Sequence, residues 1–294
     1  MPKSRPSHVL FAAMAVALAS PLVANAEDTA LFTTYDASST AAVDNSPYIN
    51  MIEGLTATQR GRPLVAYEFA RIQARPFFAQ YLRYLEGVQV DQLNRDEQLA
   101  YWLNTRNFLL IKGAVDENRI RRYKQLRGTP TDPGAFWTEK RIRVNGTELS
   151  LQDIEQDILF AGWDDPNIIF GLYQGSKGGP VLPREPFAGA TVHQALATAG
   201  RRFNADSRNF RVRGDTVRIS EYFDWYLPLA YNNDEAKLRT HLASFADADA
   251  QVLVQDTAKL TRRSFSTDFE QHRIRQTNVD LGGRSSAGAG GFGS

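Results

Sequence analysis

The stretch Arg141-Ile142-Arg143-Val144-Asn145-Gly146-Thr147-Glu148-Leu149-Ser150-Leu151-Gln152-Asp153-Ile154 changes period halfway along. Ile142 and Val144 alternate into Asn145-Gly146, the dipeptide that best tolerates the two positive φ angles of a type I′ turn, and a return strand follows. Ser150 then precedes Leu151, Ile154, Ile158 and Leu159, with Asp153 three residues on, the pattern of a capped amphipathic helix. The design recurs downstream: Phe210 and Val212 alternate into Gly214-Asp215, Val217 and Ile219 alternate out, and Ser220 stands before Tyr222, Phe223, Trp225 and Tyr226. Hairpins that run straight into helices, without strict strand-helix alternation, predict an α+β fold. We expect a single domain of helices packed on a mostly antiparallel sheet, with two hairpins, each followed by a Ser-capped helix.

Upstream of the first hairpin, Asn94 and Glu97 predict a capping box that opens a helix with a stripe through Leu99, Trp102, Leu103, Leu110 and Ile111, and Gly113 marks a possible end. Tyr67, Phe69, Ile72, Phe77, Phe78, Tyr81, Leu82 and Leu85 recur at helical spacing around Pro76, which predicts two short helices. Between the hairpins, Ile168, Ile169, Phe170 and Leu172 form a short continuous apolar run after Asp164-Asp165-Pro166, which reads as a strand buried on both faces.

At the N-terminus, Lys3 and Arg5 precede an apolar stretch from Val9 to Val23 and then Ala24-Asn25-Ala26, the three parts of a cleavable secretory signal. The stretch is shorter than the roughly 20 residues that span a bilayer. The expected organisation is a signal peptide at 1–26, a loosely ordered leading segment at 27–50, a globular domain at 51–277 and a flexible Gly/Ser-rich tail at 278–294. Export to the periplasm or the extracellular space follows, with no transmembrane segment after cleavage.

Removing residues 1–26 takes away Lys3 and Arg5 and leaves the formal charge, +1 for the whole chain, within one unit of zero. That balance argues against nucleic acid as a partner. The basic runs at Arg119 to Lys124 and at Arg262-Arg263 have acidic residues close by and read as solvated faces. The chain has no cysteine, which excludes a disulfide framework, a thiol nucleophile and a thiolate metal ligand. His193 and His241 fall in helical stretches of mixed polarity and read as surface residues. No H-E-x-x-H, EF-hand loop or His/Asp cluster appears, so neither metal nor cofactor is expected.

The segment Gly171-Leu172-Tyr173-Gln174-Gly175-Ser176-Lys177-Gly178-Gly179-Pro180 lacks the G-x-x-x-x-G-K-[ST] spacing of a phosphate loop and reads as a tight structural turn. Ser176 beside Lys177 has no G-x-S-x-G elbow around it. Asn104 and Asn107, three apart on the helix after Asn94, share a face, where their amides can pin a loop or line a pocket.

Four pieces taken together resemble one family: Ala100-Tyr101-Trp102-Leu103-Asn104-Thr105-Arg106-Asn107; Val144-Asn145-Gly146 into Leu149-Ser150-Leu151-Gln152-Asp153-Ile154-Glu155; Asp165-Pro166 leading to Ser176-Lys177 and Pro180; and Ile219-Ser220-Glu221-Tyr222-Phe223-Asp224-Trp225-Tyr226. In order and approximate spacing they resemble the domain of unknown function 547 family, over roughly residues 94–231. The resemblance implies no substrate. It does imply departures: family members typically show a histidine where Ile169 stands, cysteines where Gln174 and Gly179 stand, and a tyrosine where Arg106 stands. A glutamine cannot ionise into a nucleophile and an isoleucine cannot move a proton.

The expected function is therefore that of a catalytically degenerate, exported binding or structural module. Its candidate pocket is Asn104, Asn107, Gln174, Ser176 and Lys177, with an unknown small molecule or envelope component as partner. The alternative is an envelope hydrolase that uses Ser176, or a carboxylate such as Asp164 or Asp165, in place of the missing thiol.

Overall fold

The longest apolar pattern in the chain becomes its axis. In the computed structural model, which describes residues 32–59, 62–65, 75–116, 128–129, 132–257 and 259–267, the central helix Arg95–Asp116 is buried along most of its length. Asn94 starts it by accepting the Glu97 amide at 2.9 Å. The reciprocal half of the expected capping box is missing. Glu97 instead turns its carboxylate away to the amides of Val43 (2.8 Å) and Gly189 (2.7 Å), so one side chain satisfies two donors that the loops themselves do not. The helix also runs past Gly113, where a Cβ would come within 2.7 Å of the Phe136 ring.

The first hairpin forms as its residues dictate. Ile142–Val144 pairs antiparallel with Thr147–Leu149, with Asn145 at φ 47° and Gly146 at φ 85° in the turn. Ser150 and Asp153 then complete a capping box, and the helix Leu151–Asp153 continues into a π-helical turn, Ile154–Phe160. In the second unit Phe210–Arg213 pairs antiparallel with Thr216–Ser220. Ser220 is the last strand residue there and Glu221 is the N-cap of Tyr222–Ala230, although Ser220 Oγ still accepts the Tyr222 amide at 3.2 Å.

The protein is α+β, with two departures from expectation. Its strands form small separate sheets, among them Thr56–Gln59 with Arg62–Val65, and Lys259–Arg263 joins Thr216–Ser220 in parallel. The long crossover that a parallel pair requires is supplied by the helices Tyr222–Ala230, Glu235–Ala243 and Ala248–Val252. Second, the run expected as a buried strand is a helical turn, Ile168–Gly171. Asp165 Oδ1 accepts the Asn167 amide at 2.8 Å and its carbonyl accepts from Ile168, a side-chain turn that winds the backbone before the apolar residues begin. A run buried on every side has no polar face, so its period could not reveal this.

Residues 32–45 carry no helix or strand, yet they are tied down. Phe32 meets Trp102 edge-on at 5.2 Å, the Asp36 amide donates to Leu93 (3.1 Å), and Gln98 and Asn94 donate to the carbonyls of Thr34 and Ser39 (2.7 and 2.9 Å). The helix Ser46–Leu55 follows. Arg75–Glu86 holds Pro76 in its first turn, where a missing N–H is tolerated. The expected helix before it, the signal peptide, the run from Arg119 to Lys124 and the tail all lie outside the described residues. Among the described residues no helix is long and apolar enough to cross a membrane.

Candidate functional site

Polar side chains of the central helix strap down the irregular chain between Gly171 and Gly189. Asn104 donates to the Phe187 carbonyl (2.8 Å) and accepts its amide (2.9 Å). Asn107 does the same one turn on, donating to Gly171 O (2.9 Å) and accepting from Tyr173 N (3.0 Å). Each buried amide thus has donor and acceptor engaged, which is how such groups escape a desolvation penalty.

Arg106, on the same helix, is wholly buried. Its Nε and Nη2 donate to Glu155 Oε1 at 2.9 and 2.6 Å, and Nη1 donates to Asn107 Oδ1 (3.1 Å) and to the Tyr173 carbonyl. Glu155 reaches it from the π-helical turn, a helix distortion often associated with functional sites. The other Glu155 oxygen accepts from Tyr226 Oη (3.2 Å). Gln174 Nε2 donates to Tyr226 Oη (2.7 Å) and approaches Tyr222 Oη (3.4 Å), while Arg106 Nη2 lies 3.5 Å from Gln174 Oε1. Tyr222 Oη finally donates to the Ile169 carbonyl (2.6 Å). A Cβ at Gly179 would lie 2.7 Å from Gln174 Cβ and 3.0 Å from Ser176 Oγ. The positions where this chain departs from the pattern it resembles, 106, 169, 174 and 179, therefore meet in one buried cluster.

The five candidate pocket residues do not share a pocket. Asn104, Asn107, Gln174 and Ser176 are all at most 2% exposed, and the space between helix and loop is filled by Arg106 and its partners. Ser176 Oγ is buried and has no hydrogen-bond partner among the described residues, so none of them stands as a base in hydrogen-bond contact with it, as nucleophilic use requires. Of the carboxylates considered, Asp165 accepts from Asn167 and faces His193 Nδ1 at 3.4 Å. Lys177 is the exposed member of the five. It borders a cavity of about 1300 Å³, together with Gly179, Leu182, Arg184, Phe187 and Arg202, between the extended segment after Gly179 and the helix Val192–Asn204.

The histidines separate. His193 is exposed; its burial lowers the pKa, but Asp96 and Asp165 beside it outweigh that and raise it. His241 is no surface residue: it packs between Phe170 and Phe245, with Tyr231 Oη 2.8 Å from Nδ1 and Asn167 Oδ1 3.1 Å from Nε2. Burial pushes its pKa down to about 4, which suits a neutral ring that donates through Nε2 and accepts through Nδ1.

The residue pair that sequence reasoning missed is Arg106–Glu155. Both lie in the quoted motifs, but they are 49 positions apart and nothing local couples them. No curated protein and no solved structure matches the chain. A family model described as "Protein of unknown function, DUF547" matches residues 90–203, a span that holds Arg106, Glu155, Ile169, Gln174 and Gly179 and stops short of the Ile219–Tyr226 motif. The stretch 90–203, which holds the central helix, the first hairpin and the Arg106, Glu155 and Gln174 part of the buried cluster, matches the DUF547 model and contains no cysteine.

Proposed function

We propose that this is an exported protein whose DUF547 region has lost catalytic competence and acts as a binding module, with its ligand in the cavity that Lys177 borders. The observation that carries the reading is the buried cluster of Arg106, Ile169, Gln174 and Gly179. Where relatives are expected to carry ionisable or nucleophilic groups, this chain carries a hydrogen-bonded structural network and a serine with no hydrogen-bonded base among the described residues. The cavity has apolar walls at Leu182 and Phe187 and charged groups at its rim. Its size exceeds the range of roughly 300–1,000 Å³ typical of drug-sized ligands, which suits an extended oligomeric ligand such as a peptide or glycan chain of the envelope.

The test is a panel of ester, amide, thioester and phosphoester substrates incubated with the mature chain and with Ser176→Ala. The expected result is no turnover by either above the buffer rate. Turnover that is reproducible in the natural chain and vanishes in Ser176→Ala contradicts the proposal and installs the hydrolase reading.

A further inference from the structure

A second surface, on the far side of the molecule's sequence, breaks a rule of sheet construction. Phe210–Arg213, Thr216–Ser220 and Lys259–Arg263 form a three-stranded sheet. Side chains alternate between faces, and cross-strand partners share one. Phe210, Val212, Val217 and Ile219 face inward. Register then puts Arg211 opposite Arg218 and Arg213 opposite Thr216 on the outer face, and Thr261, Lys259 and Arg263 beside Arg218, Thr216 and Ser220 on the third strand. The outer-face positions of these three strands thus present Arg211, Arg213, Arg218, Lys259 and Arg263 and no carboxylate. Asp215, in the turn, accepts from Thr216 Oγ1 at 3.1 Å.

Like charges directly opposite on adjacent strands are destabilising, and Arg211 and Arg218 are such a pair. None of the five cations forms an ion pair with a described residue, in contrast to Arg262 on the opposite face, which is held by Asp224 at 2.6 Å. Arg211, Arg213, Arg218, Thr216, Thr261 and Gly214 also line a cavity of about 560 Å³, and the Nε of Arg218 is buried with no hydrogen-bond partner. A buried donor that nothing in the described protein satisfies, ringed by further guanidinium groups, has the chemistry of a phosphate site, because guanidinium pairs with phosphate oxygens through parallel N–H donors.

We propose that this face docks on an anionic phospholipid surface, with one headgroup phosphate held in the arginine cavity and Lys259 and Arg263 against neighbouring headgroups. The cations extend in two dimensions over three strands, roughly 10 Å across. That shape matches a flat layer of charges better than the single line of a nucleic-acid backbone. The outer-face positions of the three strands hold no aromatic residue on which bases could stack. With the whole chain near charge balance, attraction to the layer comes from a local cluster such as this one and not from net charge.

Sedimentation with vesicles tests it, using the mature chain and vesicles of phosphatidylcholine alone or mixed equally with phosphatidylglycerol. Binding is expected to the mixed vesicles only and is expected to fall with salt. Arg211→Gln with Arg213→Gln, both exposed and away from the core, should keep the circular dichroism of the parent. The pair should lose binding by roughly fivefold per charge removed. Inorganic phosphate added at constant ionic strength should leave the bound fraction unchanged. Failure to bind the mixed vesicles, equal binding by the double variant, displacement by inorganic phosphate, or tighter binding to duplex DNA than to vesicles would each overturn the proposal.

Discussion

Arg106 and Glu155 are a buried ion pair with side chains at most 1% exposed. Such pairs add little net stability over an apolar replacement, yet removing one partner strands a charge and costs about 3–5 kcal/mol. Arg106→Met is therefore expected to lower the unfolding free energy measured by urea titration by an amount in that range, and adding Glu155→Gln should restore a substantial part of it. Arg106→Tyr, which returns the residue expected of relatives, should destabilise for the same reason, because it too leaves Glu155 unpaired. His241 supplies a pH-dependent counterpart. Its folded pKa, about 4, lies below the ordinary histidine value, so between about 6.5 and 4 the unfolded chain binds the extra proton. Its contribution is complete above that window and is lost as pH falls through it. Unfolding free energies of the parent should decline across the window, and those of His241→Gln should decline less. His193, whose pKa is raised, runs the opposite way and cannot produce that slope.

At the scale of elements, the chain could be read where its signals are local. The type I′ turn at Asn145-Gly146 and the box of Ser150 with Asp153 follow from residues within a few positions of one another. Helix Ile168–Gly171 and the strand Lys259–Arg263 do not: the first lacks a polar face, and the second pairs with a strand some forty residues earlier in sequence. The straps follow the same division. The shared face of Asn104 and Asn107 was legible from their spacing, but their partners at Phe187 and Tyr173 were not, since only the folded loop brings those amides to the helix. Asn104→Ala is expected to leave the Phe187 amide without a partner and its carbonyl with only the long contact to Asn45 Nδ2 at 3.4 Å, and to destabilise by about 1–3 kcal/mol, measured by urea titration. On the exposed sheet, Arg211→Thr should raise the midpoint slightly by relieving the repulsion with Arg218.

At the scale of the whole molecule, the strands among the described residues form four small sheets, and the central helix packs mainly against other helical elements. The candidate site was half legible in consequence. The substituted positions could be named from the motifs, but whether they lay in an open cleft or in sealed interior depended on Arg106 and Glu155 meeting across the core. The absence of cysteine from the natural chain makes this directly measurable, because a single introduced thiol reports alone. Gln174→Cys and, as an exposed control, Lys177→Cys should be reacted with an aromatic disulfide reagent under native conditions and again in urea. The account expects Lys177→Cys to react at once, and Gln174→Cys, still folded by circular dichroism, to react only when urea unfolds it. Rapid native labelling at position 174 would show that the cluster opens to solvent, and would contradict the claim that these positions now serve structure.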